Sequence, residues 1–419
     1  MTSLSRRLEG TPMATKKRKT ATRGGGPTRL ERRQAFQAHI KKEYKDTGLI
    51  MRGDEYEAPF MVRRIPTGIL ELDLALNGGF PCGGVSEIIG AESSGKTTLL
   101  NQVFSYQQQI LGKDAMLGIA MTEQPFDKGH AKFNCGVNIA IHPKEIDAIE
   151  ATLKRKLTKE ESAIMGSQTG EFDEFAAGTV EALYDMLLDA VASRTYHVLG
   201  LDSWGSILTE AEEGSNMQDK MYAGGGGANV NASWARRLSP EFVVPKDGNR
   251  NYTALIGINQ YRMKMNANPK AGAMKQMSVQ GGYALKHIKL VSIFLESFDL
   301  WEETSGKRKR VGKKIKWTVM KGKAGCHDGG TGEYEIRYGV GIDILREHLM
   351  AGLLRGLIVS KGSWYYLMDP SDDSEIFKAQ GKDAFLALLK NEDGALEWLR
   401  DSVIDYEVRE NGASFIPPR

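Results

Sequence analysis

The sequence predicts an α/β fold with a central, mostly parallel β-sheet that carries a phosphate-binding loop. Between residues 62 and 340, strand-like apolar runs alternate with helix-like segments, as they do in βαβ units. The apolar run 85–89 ends at Gly90, and the following loop closes on Gly95-Lys96-Thr97 before an amphipathic helix. This strand, loop and helix match G-x-x-x-x-G-K-S/T in the context that the motif requires. We therefore expect the chain to bind a nucleoside triphosphate.

The residues of this loop have distinct expected roles. Glycines let backbone N–H groups turn inward as an anion-binding nest, and the N-terminus of the helix adds its dipole. Lys96 would reach the β- and γ-phosphates, and the Thr97 hydroxyl would bind Mg²⁺. The alternative is a glycine-rich turn that matches the motif by chance. The candidate nucleotide-binding residues in this stretch are Gly90, Glu92, Ser93, Ser94, Gly95, Lys96, Thr97 and Thr98.

Length and composition indicate a multidomain globular protein. A chain of 419 residues predicts two or three domains plus tails, and 41% hydrophobic with 26% charged residues is ordinary for a soluble protein. The sequence has no apolar run of 18 or more residues, so we expect no transmembrane helix. The N-terminus lacks the apolar segment of a secretory signal, so we expect none. The three cysteines are scattered, which favours a reducing compartment over a zinc site or a disulfide scaffold. We expect a cytoplasmic protein.

Positive charge is concentrated at the N-terminus. Residues 1–45 carry 13 Lys and Arg against three Glu, a balance of +10, whereas the whole chain is +3, so the rest is near −7. Residues 1–28 contain almost nothing apolar and are predicted to form a disordered basic arm. This arm is either a nucleic-acid-binding or import-type segment or a solvated tail.

Residues 29–61 are predicted to form a helix and a short strand ahead of the core. Apolar residues recur at helical spacing from Arg29 to Tyr44, and Leu49–Arg52 is a short apolar run. A polar link separates the two segments. They could pack on a neighbouring subunit or fold back onto their own domain.

The remaining organisation follows from the alternation of segments. Residues 141–176 are charged and weakly periodic and are interpreted as an insertion in the core domain 62–343. Residues 289–297, 313–320 and 333–338 are predicted to extend the sheet with antiparallel strands. Residues 344–419 are predicted to form a small C-terminal α/β domain.

Three polar residues that follow predicted strands are candidates for hydrolysis. Asp202 ends the apolar strand 197–201 and is the expected aspartate of the Mg²⁺ shell. Glu123 follows the strand 115–121, on the same edge of a parallel sheet as the phosphate loop, and could polarise the attacking water. Gln260 also ends a strand at this edge and could contact the γ-phosphate. The alternatives are a solvated glutamate and a surface amide.

Two long glycine-containing loops, at about 210–231 and 262–282, are candidates for DNA contact. Backbone N–H groups with Lys and Arg side chains suit phosphate contacts, which are independent of base sequence. The alternative is two ordinary polar loops. The candidate DNA-binding residues are Arg236 and Arg237 after the first loop and Arg262, Lys264, Lys270, Lys275, Gly281 and Gly282 in the second.

Taken together, these residues resemble the bacterial RecA recombinase family and its phage-type members over about residues 30–405. The phosphate loop, with its Glu-Ser-Ser interior, differs from that of the family by alanine in place of proline. The matching stretches are Leu49–Arg52, Ile65–Asp73, Gly90–Thr98, Leu201–Ser203, Ile258–Lys264, Gly281–Lys286, Met320–Lys323, Tyr338–Asp343 and Gly362–Tyr365. The basic segment 307–316 lies near the secondary DNA site of the family and is more basic than is typical of it.

The resemblance implies a RecA-like P-loop ATPase core with an N-terminal oligomerisation segment and a small C-terminal domain. It assigns Glu123 as the catalytic glutamate and Gln260 as the nucleotide-sensing glutamine. Lys321 and Lys323 match lysines that reach the γ-phosphate of the neighbouring subunit. Asp127 and Tyr338 match adenine-binding residues. His130 stands where the family has an adenine-stacking tyrosine.

The function implied by the resemblance is a DNA-dependent ATPase that polymerises on single-stranded DNA and catalyses homologous pairing and strand exchange. ATP and Mg²⁺ are its implied cofactors. Single-stranded DNA, homologous double-stranded DNA, further copies of the chain in a helical filament, and loader, mediator or single-strand-binding proteins are its implied partners. One alternative is a RecA-fold ring-forming motor or repair accessory ATPase. Another is a non-catalytic DNA-binding scaffold.

Overall fold

The computed structural model describes residues 28–44, 62–204, 226–246, 249–263, 277–279, 282–304 and 306–410. The chain divides into two compact units, Met1–Glu57 and Ala58–Arg419. Most of the predicted basic arm (1–27), the predicted strand Leu49–Arg52 and the end of the chain (411–419) lie outside the described residues. None of the helices in the described ranges has the length and apolar character needed to cross a bilayer.

In the N-terminal unit, the described residues form one helix, α1 (Arg29–Tyr44). A reciprocal capping pair begins it: Thr28 Oγ1 accepts from the Glu31 backbone N–H at 3.2 Å, and Glu31 Oε2 accepts from the Thr28 N–H at 2.6 Å. Leu30 and Phe36 are 62% and 56% exposed. The predicted helix is therefore present, with two of its large apolar side chains in contact with solvent.

The larger unit consists of a core followed by a small C-terminal domain. The described core elements are β1 (Arg64–Ile65), α2 (Leu70–Ala75), β2 (Phe80–Pro81), β3 (Gly84–Gly90), α3 (Lys96–Leu111), β4 (Met116–Met121), α4 (Pro143–Leu153), α5 (Lys159–Gly166), β5 (Glu171–Phe175), α6 (Val180–Ser193), β6 (Val198–Asp202), α7 (Gly226–Val243), β7 (Ala254–Met263), β8 (Met277–Val279), α8 (Gly282–Ile288), β9 (Lys289–Thr304), β10 (Lys307–Gly322), β11 (Thr331–Arg337) and β12 (Gly341–Ile342). The domain after them contains α9 (Ile344–Leu354), β13 (Ile358–Lys361), β14 (Trp364–Met368), β15 (Glu375–Gln380), α10 (Lys382–Asn391) and α11 (Ala395–Glu410).

A mostly parallel sheet forms the centre of the core, as predicted. Its described strands lie in the order β12-β11-β10-β9-β3-β7-β6-β4-β5, and β8 pairs with β7. The strands from β9 to β5 are mutually parallel, and β10, β11 and β12 continue the sheet in antiparallel pairing. Every residue of β3 is buried, because helices cover both faces of a parallel sheet. Gly90 at the end of β3 pairs with Gln260 of β7 and with Leu295 of β9, so these three residues lie side by side where β3 ends.

The β9–β10 hairpin is longer than the sequence predicts. Predicted strands 289–297 and 313–320 are each 16 residues long in the structure, because pairing continues through their charged ends. Arg308 and Lys309 lie opposite Glu303 and Glu302, and the Arg308 guanidinium lies 5.1 Å from the Trp301 ring centroid. Opposite charges in cross-strand pairs stabilise this exposed part of the β-ladder, whereas its charged composition alone is typical of a loop.

The segment predicted as an insertion, 141–176, partly belongs to the core sheet. It contains α4 and α5, and its last strand, β5, pairs in parallel with β4 at the edge of the sheet. Phe172 of β5 packs against Phe104 and Phe126, with ring centroids 5.3 Å apart in both pairs. Acidic residues on the solvent side of this edge strand conceal its β character in the sequence.

The C-terminal domain has its own apolar core beneath the three-stranded sheet β13-β14-β15. Arg355 joins it to the core: its guanidinium forms an ion pair with Glu71 of α2 and lies 2.6 Å from a carboxylate oxygen of Glu407. The Glu71 backbone N–H also donates to Glu347 Oε1 at 2.8 Å. These partly buried contacts fix the C-terminal domain against α2.

Candidate nucleotide-binding and catalytic site

The phosphate loop lies at the carboxyl edge of the sheet, between β3 and α3. Ser93 and Gly95 have φ values of 57° and 87°, so the backbone reverses direction twice within three residues before α3 begins at Lys96. The Lys96 ammonium donates to the carbonyl oxygen of Ala91 at 2.6 Å. Its side chain thus crosses the loop from within, where the phosphates of a nucleotide would lie.

Lys96 is 8% exposed. Burial lowers the pKa of its ammonium, whereas the carboxylates of Asp202, Glu123 and Glu92 act in the opposite direction. Ser94 Oγ is buried and has no hydrogen-bond partner within the described residues. A charged lysine and an unpaired hydroxyl in one loop are donors that fit an oxyanion.

Asp202 ends β6 beside the start of α3. The Thr97 hydroxyl donates to Asp202 Oδ2 at 2.7 Å. Burial raises the pKa of the Asp202 carboxyl; the Thr97 hydrogen bond and Lys96 lower it, and the nearby Glu123 raises it. A hydroxyl and a carboxylate are oxygen ligands of the kind that Mg²⁺ prefers together with substrate phosphates. No cluster of three or more His, Cys, Asp or Glu suited to a metal occurs among the described residues.

Glu123 meets residues from two other strands. Ser203 Oγ donates to Glu123 Oε1 at 2.8 Å, and Gln260 Nε2 donates to the same oxygen at 3.2 Å. The Ser203 N–H donates to Thr122 Oγ1 at 2.8 Å, and that hydroxyl lies 3.0 Å from the Ser203 carbonyl. One carboxylate thus connects the segments after β4 and β6 with β7. Gln260 was predicted to end its strand, but β7 continues to Met263 because its last residues pair with β8.

Two segments form a wall beside α3, the helix that follows the phosphate loop. His130 begins a π-helical turn, His130–Asn134, and its backbone N–H donates to Asp127 Oδ1 at 2.8 Å. Asn134 Nδ2 lies 3.0 Å from His130 Nδ1 and donates to it. A Cβ atom added at Gly341 would lie 1.9 Å from the Asn134 carbonyl oxygen, so the strand that follows Tyr338 adjoins this turn. Tyr338 is 55% exposed.

Lys321 and Lys323 lie away from the phosphate loop of their own chain. Lys321 of β10 pairs with Ser292 of β9, which in turn pairs with Glu87 of β3. Glu87 comes three residues before Gly90, so the backbone of Lys321 lies roughly 10 Å from the level of the phosphate loop, measured along the strands. The Lys321 ammonium donates to the Lys286 carbonyl. The two lysines are thus not brought together with Lys96 within one chain.

The structure locates few of the predicted DNA-binding side chains. Arg236 and Arg237 are exposed on α7, where Arg237 pairs with Asp185 at 2.6 Å. Gly282 begins α8, and the backbone of Arg262 pairs with Ser278. Lys264, Lys270, Lys275 and Gly281, with residues 210–225 of the first loop, lie outside the described residues. Helix α7 begins inside the predicted first loop, because Trp234 and Asn231 are buried against Tyr184 of α6.

Sequence reasoning missed the roles of Thr122 and Ser203. Each is adjacent to a predicted site residue, Glu123 or Asp202, and a small hydroxyl next to a strand-end acid is a signal that could have indicated them. Their mutual contact depends on the register between β4 and β6, which places Met121 opposite Asp202.

Comparisons with known proteins agree with this geometry. The family model for the RecA N-terminal domain matches residues 33–142. The protein RecA of Herpetosiphon aurantiacus is 30% identical over 329 residues, which cover 77% of this chain and 76% of that protein. The RecA proteins of Chloroflexus aurantiacus and Chlorobaculum tepidum are each 28% identical, over 85% and 90% of this chain and 86% and 93% of their own lengths.

Proposed function

The chain belongs to the RecA family, and from that premise we propose that it is a DNA-dependent ATPase that forms filaments on single-stranded DNA. In those filaments it catalyses homologous pairing and strand exchange. Sequence would be recognised by base pairing between the strands, because phosphate contacts carry no sequence information.

The observation that carries this proposal is the convergence of four predicted residues at one edge of the sheet. Lys96 and Thr97 begin α3, Asp202 ends β6, and Glu123 follows β4. Thr97 contacts Asp202 at 2.7 Å, and both carboxylates influence the pKa of Lys96. These are the parts that phosphoryl transfer needs: a phosphate cradle, a metal-ligating edge and a group that orients water.

Each residue has a defined task in hydrolysis. Lys96 and the loop N–H groups hold the phosphates, and Thr97 with Asp202 would hold Mg²⁺. When bound, Mg²⁺ would neutralise negative charge on the β- and γ-phosphates. Glu123 accepts hydrogen bonds from Ser203 and Gln260, which aim its carboxylate at the edge where the attacking water would lie.

Gln260 connects this chemistry with DNA. Its amide contacts Glu123, and its strand leads directly into the second candidate DNA loop. A γ-phosphate competing for the amide would change both the freedom of Glu123 and the conformation at the start of that loop. ATP binding and DNA binding would then favour each other.

The position of Lys321 and Lys323 favours a site shared between subunits. They are distant from the phosphate loop of their own chain along the sheet. In a filament they would reach the phosphates bound by the next copy and supply positive charge in trans. A monomer would therefore hydrolyse ATP slowly.

One experiment tests this function. The ATPase rate of the full chain is measured with and without single-stranded DNA, and the same samples are imaged by electron microscopy. We expect turnover to rise at least tenfold with DNA, together with helical filaments. Closed rings would favour the ring-forming motor, and absence of turnover would favour a non-catalytic scaffold.

A further inference from the structure

A second lysine of the same chain, besides Lys96, contacts the phosphate loop. Lys313 lies on β10, and its ammonium donates to the carbonyl oxygen of Ser93 from the outer side of the loop. Lys96 donates to the Ala91 carbonyl from the inner side. The loop is therefore held between two ammonium groups, one of which no motif indicates.

The antiparallel extension of the sheet is the platform on which the loop rests. A Cβ atom added at Gly95 would lie 2.7 Å from Ile336 Cδ1 and 3.5 Å from Ile315 Cδ1. Ile315 is two residues from Lys313 on β10, so both side chains point to the same face, and Ile336 is the β11 partner of Lys313. The two isoleucines support the loop, and Lys313 adds a polar contact at its tip.

Neighbouring charges direct Lys313 towards the loop. Its cross-strand partner on β9 is Asp299, the acid with which it would be expected to pair. Asp299 is instead engaged by Arg310, with 2.7 Å between the guanidinium nitrogen and the carboxylate oxygen. Lys314, the next residue, points to the opposite face and pairs with Glu333 at 2.5 Å.

The contact with Ser93 orients the peptide that joins Ser93 and Ser94. In a planar trans peptide the C=O and the following N–H point in opposite directions. Because Lys313 holds the Ser93 carbonyl outward, the Ser94 N–H points into the loop, where it donates to the Ala91 carbonyl at 3.2 Å. This hydrogen bond closes a turn over residues 91–94, so the peptide that Lys313 contacts belongs to a defined turn of the loop.

We propose that Lys313 is a positioning residue of the ATP site, which fixes the Ser93–Ser94 peptide so that the phosphate loop is preorganised for a nucleotide. It acts through the loop and does not itself contact the phosphates, so it strengthens ATP and ADP binding equally. The inference rests on the proposed ATPase function. It assigns to one residue of the basic segment 307–316 a role in nucleotide binding and not in DNA binding.

The test uses Lys313→Met, which removes the ammonium but keeps the length of the side chain, and Lys314→Met as the matched control. Binding of fluorescent N-methylanthraniloyl-ADP and -ATP is titrated with Mg²⁺ and without DNA, using the full chain. We expect Lys313→Met to weaken both nucleotides about tenfold, as loss of a hydrogen bond from a charged group does, and Lys314→Met to change either by less than about twofold. Lys313→Arg should restore most of the affinity, because a guanidinium also donates to a carbonyl.

Kinetics separate positioning from a general loss of structure. With saturating single-stranded DNA, Lys313→Met should raise KM for ATP and leave kcat close to that of the unaltered chain. The inference is overturned if Lys313→Met binds both nucleotides normally, if Lys314→Met weakens them equally, or if the loss is confined to ATP. If the unaltered chain binds neither nucleotide, the proposed function itself is wrong and this inference fails with it.

Discussion

Thr97 and Asp202 are joined by a 2.7 Å hydrogen bond, although 105 residues separate them in the chain. The bond connects the first turn of α3 to the end of β6 and therefore holds the phosphate loop against the edge of the sheet that carries the proposed catalytic residues. It uses the hydroxyl hydrogen of Thr97, so the oxygen lone pairs stay available for a cation. The two residues that are proposed to hold Mg²⁺ are thus already brought together by the fold.

Lys96→Ala is expected to abolish nucleotide binding and turnover. The substitution removes the buried ammonium that crosses the loop, and the small side chain cannot replace its charge toward the phosphates. ATPase rate and nucleotide titration measure the effect. Lys113→Ala, at the exposed far end of the same helical segment, is the control and should behave like the unaltered chain. Normal turnover by Lys96→Ala would contradict the assignment of the loop.

Glu123→Gln is expected to bind ATP and form filaments that do not turn over. The amide keeps the size of the side chain and can still accept from Ser203, but it cannot take a proton from water. We expect kcat to fall at least 100-fold with little change in nucleotide affinity. Turnover and filament lifetime by electron microscopy are the measurements. A loss of affinity as large as the loss of turnover would show that Glu123 serves binding instead.

The convergence at the sheet edge was predictable because parallel strands end at a common edge. Glu123 was predicted to follow a strand, and Asp202 and Gln260 to end one, at this edge, so their proximity to the phosphate loop required no side-chain information. The Ser203 and Gln260 hydrogen bonds to Glu123 were not predictable, since they depend on register and on rotamers. Lys313 was read as part of a basic run, because its contact with Ser93 arises between residues 220 positions apart.

The length of the hairpin and the edge strand 171–175 were missed for a related reason. Charged residues on exposed strands have low β-propensity individually, and they become strand residues when a cross-strand partner of opposite charge is present. That partner is supplied by tertiary structure. The buried central strands had no such ambiguity, because both of their faces are apolar.

Lys289→Met is expected to destabilise the fold by about 3–5 kcal/mol, because it leaves a buried carboxylate without its cation. Glu87 and Lys289 are each 2% exposed and form an ion pair between β3 and β9. Asn259 Nδ2 at 2.8 Å and Ser292 Oγ at 3.2 Å also donate to Glu87 and cannot neutralise its charge. Denaturant unfolding measures the change.

Two variants distinguish the buried pair from an ordinary surface pair. Lys156→Met removes the exposed partner of Glu150 and should change the unfolding free energy much less, because solvent screens a surface pair. Glu87→Gln combined with Lys289→Met removes both buried charges and should recover much of the stability lost in the single variant. Equal effects of Lys289→Met and Lys156→Met would disprove a structural role for the buried pair.

Asp73 is expected to make stability fall as pH rises. Burial raises the pKa of its carboxyl to about 7, although the Thr67 and Gly68 N–H groups, at 2.7 and 3.0 Å, and Arg400 act against this. The unfolded chain loses this proton near pH 4, so the folded state alone holds it between about pH 4 and 7. Its contribution is complete below pH 4 and is lost as pH rises through about 7.

Asp73→Asn tests this pH dependence. The unfolding free energy of the variant relative to that of the unaltered chain should rise by about 4 kcal/mol from pH 4 to pH 8, because the variant has no proton to lose. Asp114→Asn, an exposed site, is the control and should track the unaltered chain. Parallel stability curves for Asp73→Asn and the unaltered chain would show that Asp73 is ionised in the fold throughout.

Gly341→Ala is expected to disrupt the wall in which the adenine is proposed to bind. The φ value at Gly341 is 86°, and an added Cβ would lie 1.9 Å from the Asn134 carbonyl oxygen, so the backbone must move. Asn134 holds the His130 ring through a 3.0 Å hydrogen bond, so the displacement reaches the proposed base-stacking residue. We expect ATP affinity to fall about tenfold.

Gly339→Ala provides the matched control for that loss. Gly339 has a φ of 75° and nothing within 4 Å of an added Cβ, so alanine there has similar backbone strain without a clash. Both variants should lose about 1 kcal/mol of stability from the left-handed backbone, whereas nucleotide titration should detect weakened ATP binding in Gly341→Ala alone. Equal affinities in the two variants would mean that the contact between Gly341 and Asn134 does not shape the base site. Because the phosphate loop is unaltered in both, tripolyphosphate should bind each as it binds the unaltered chain.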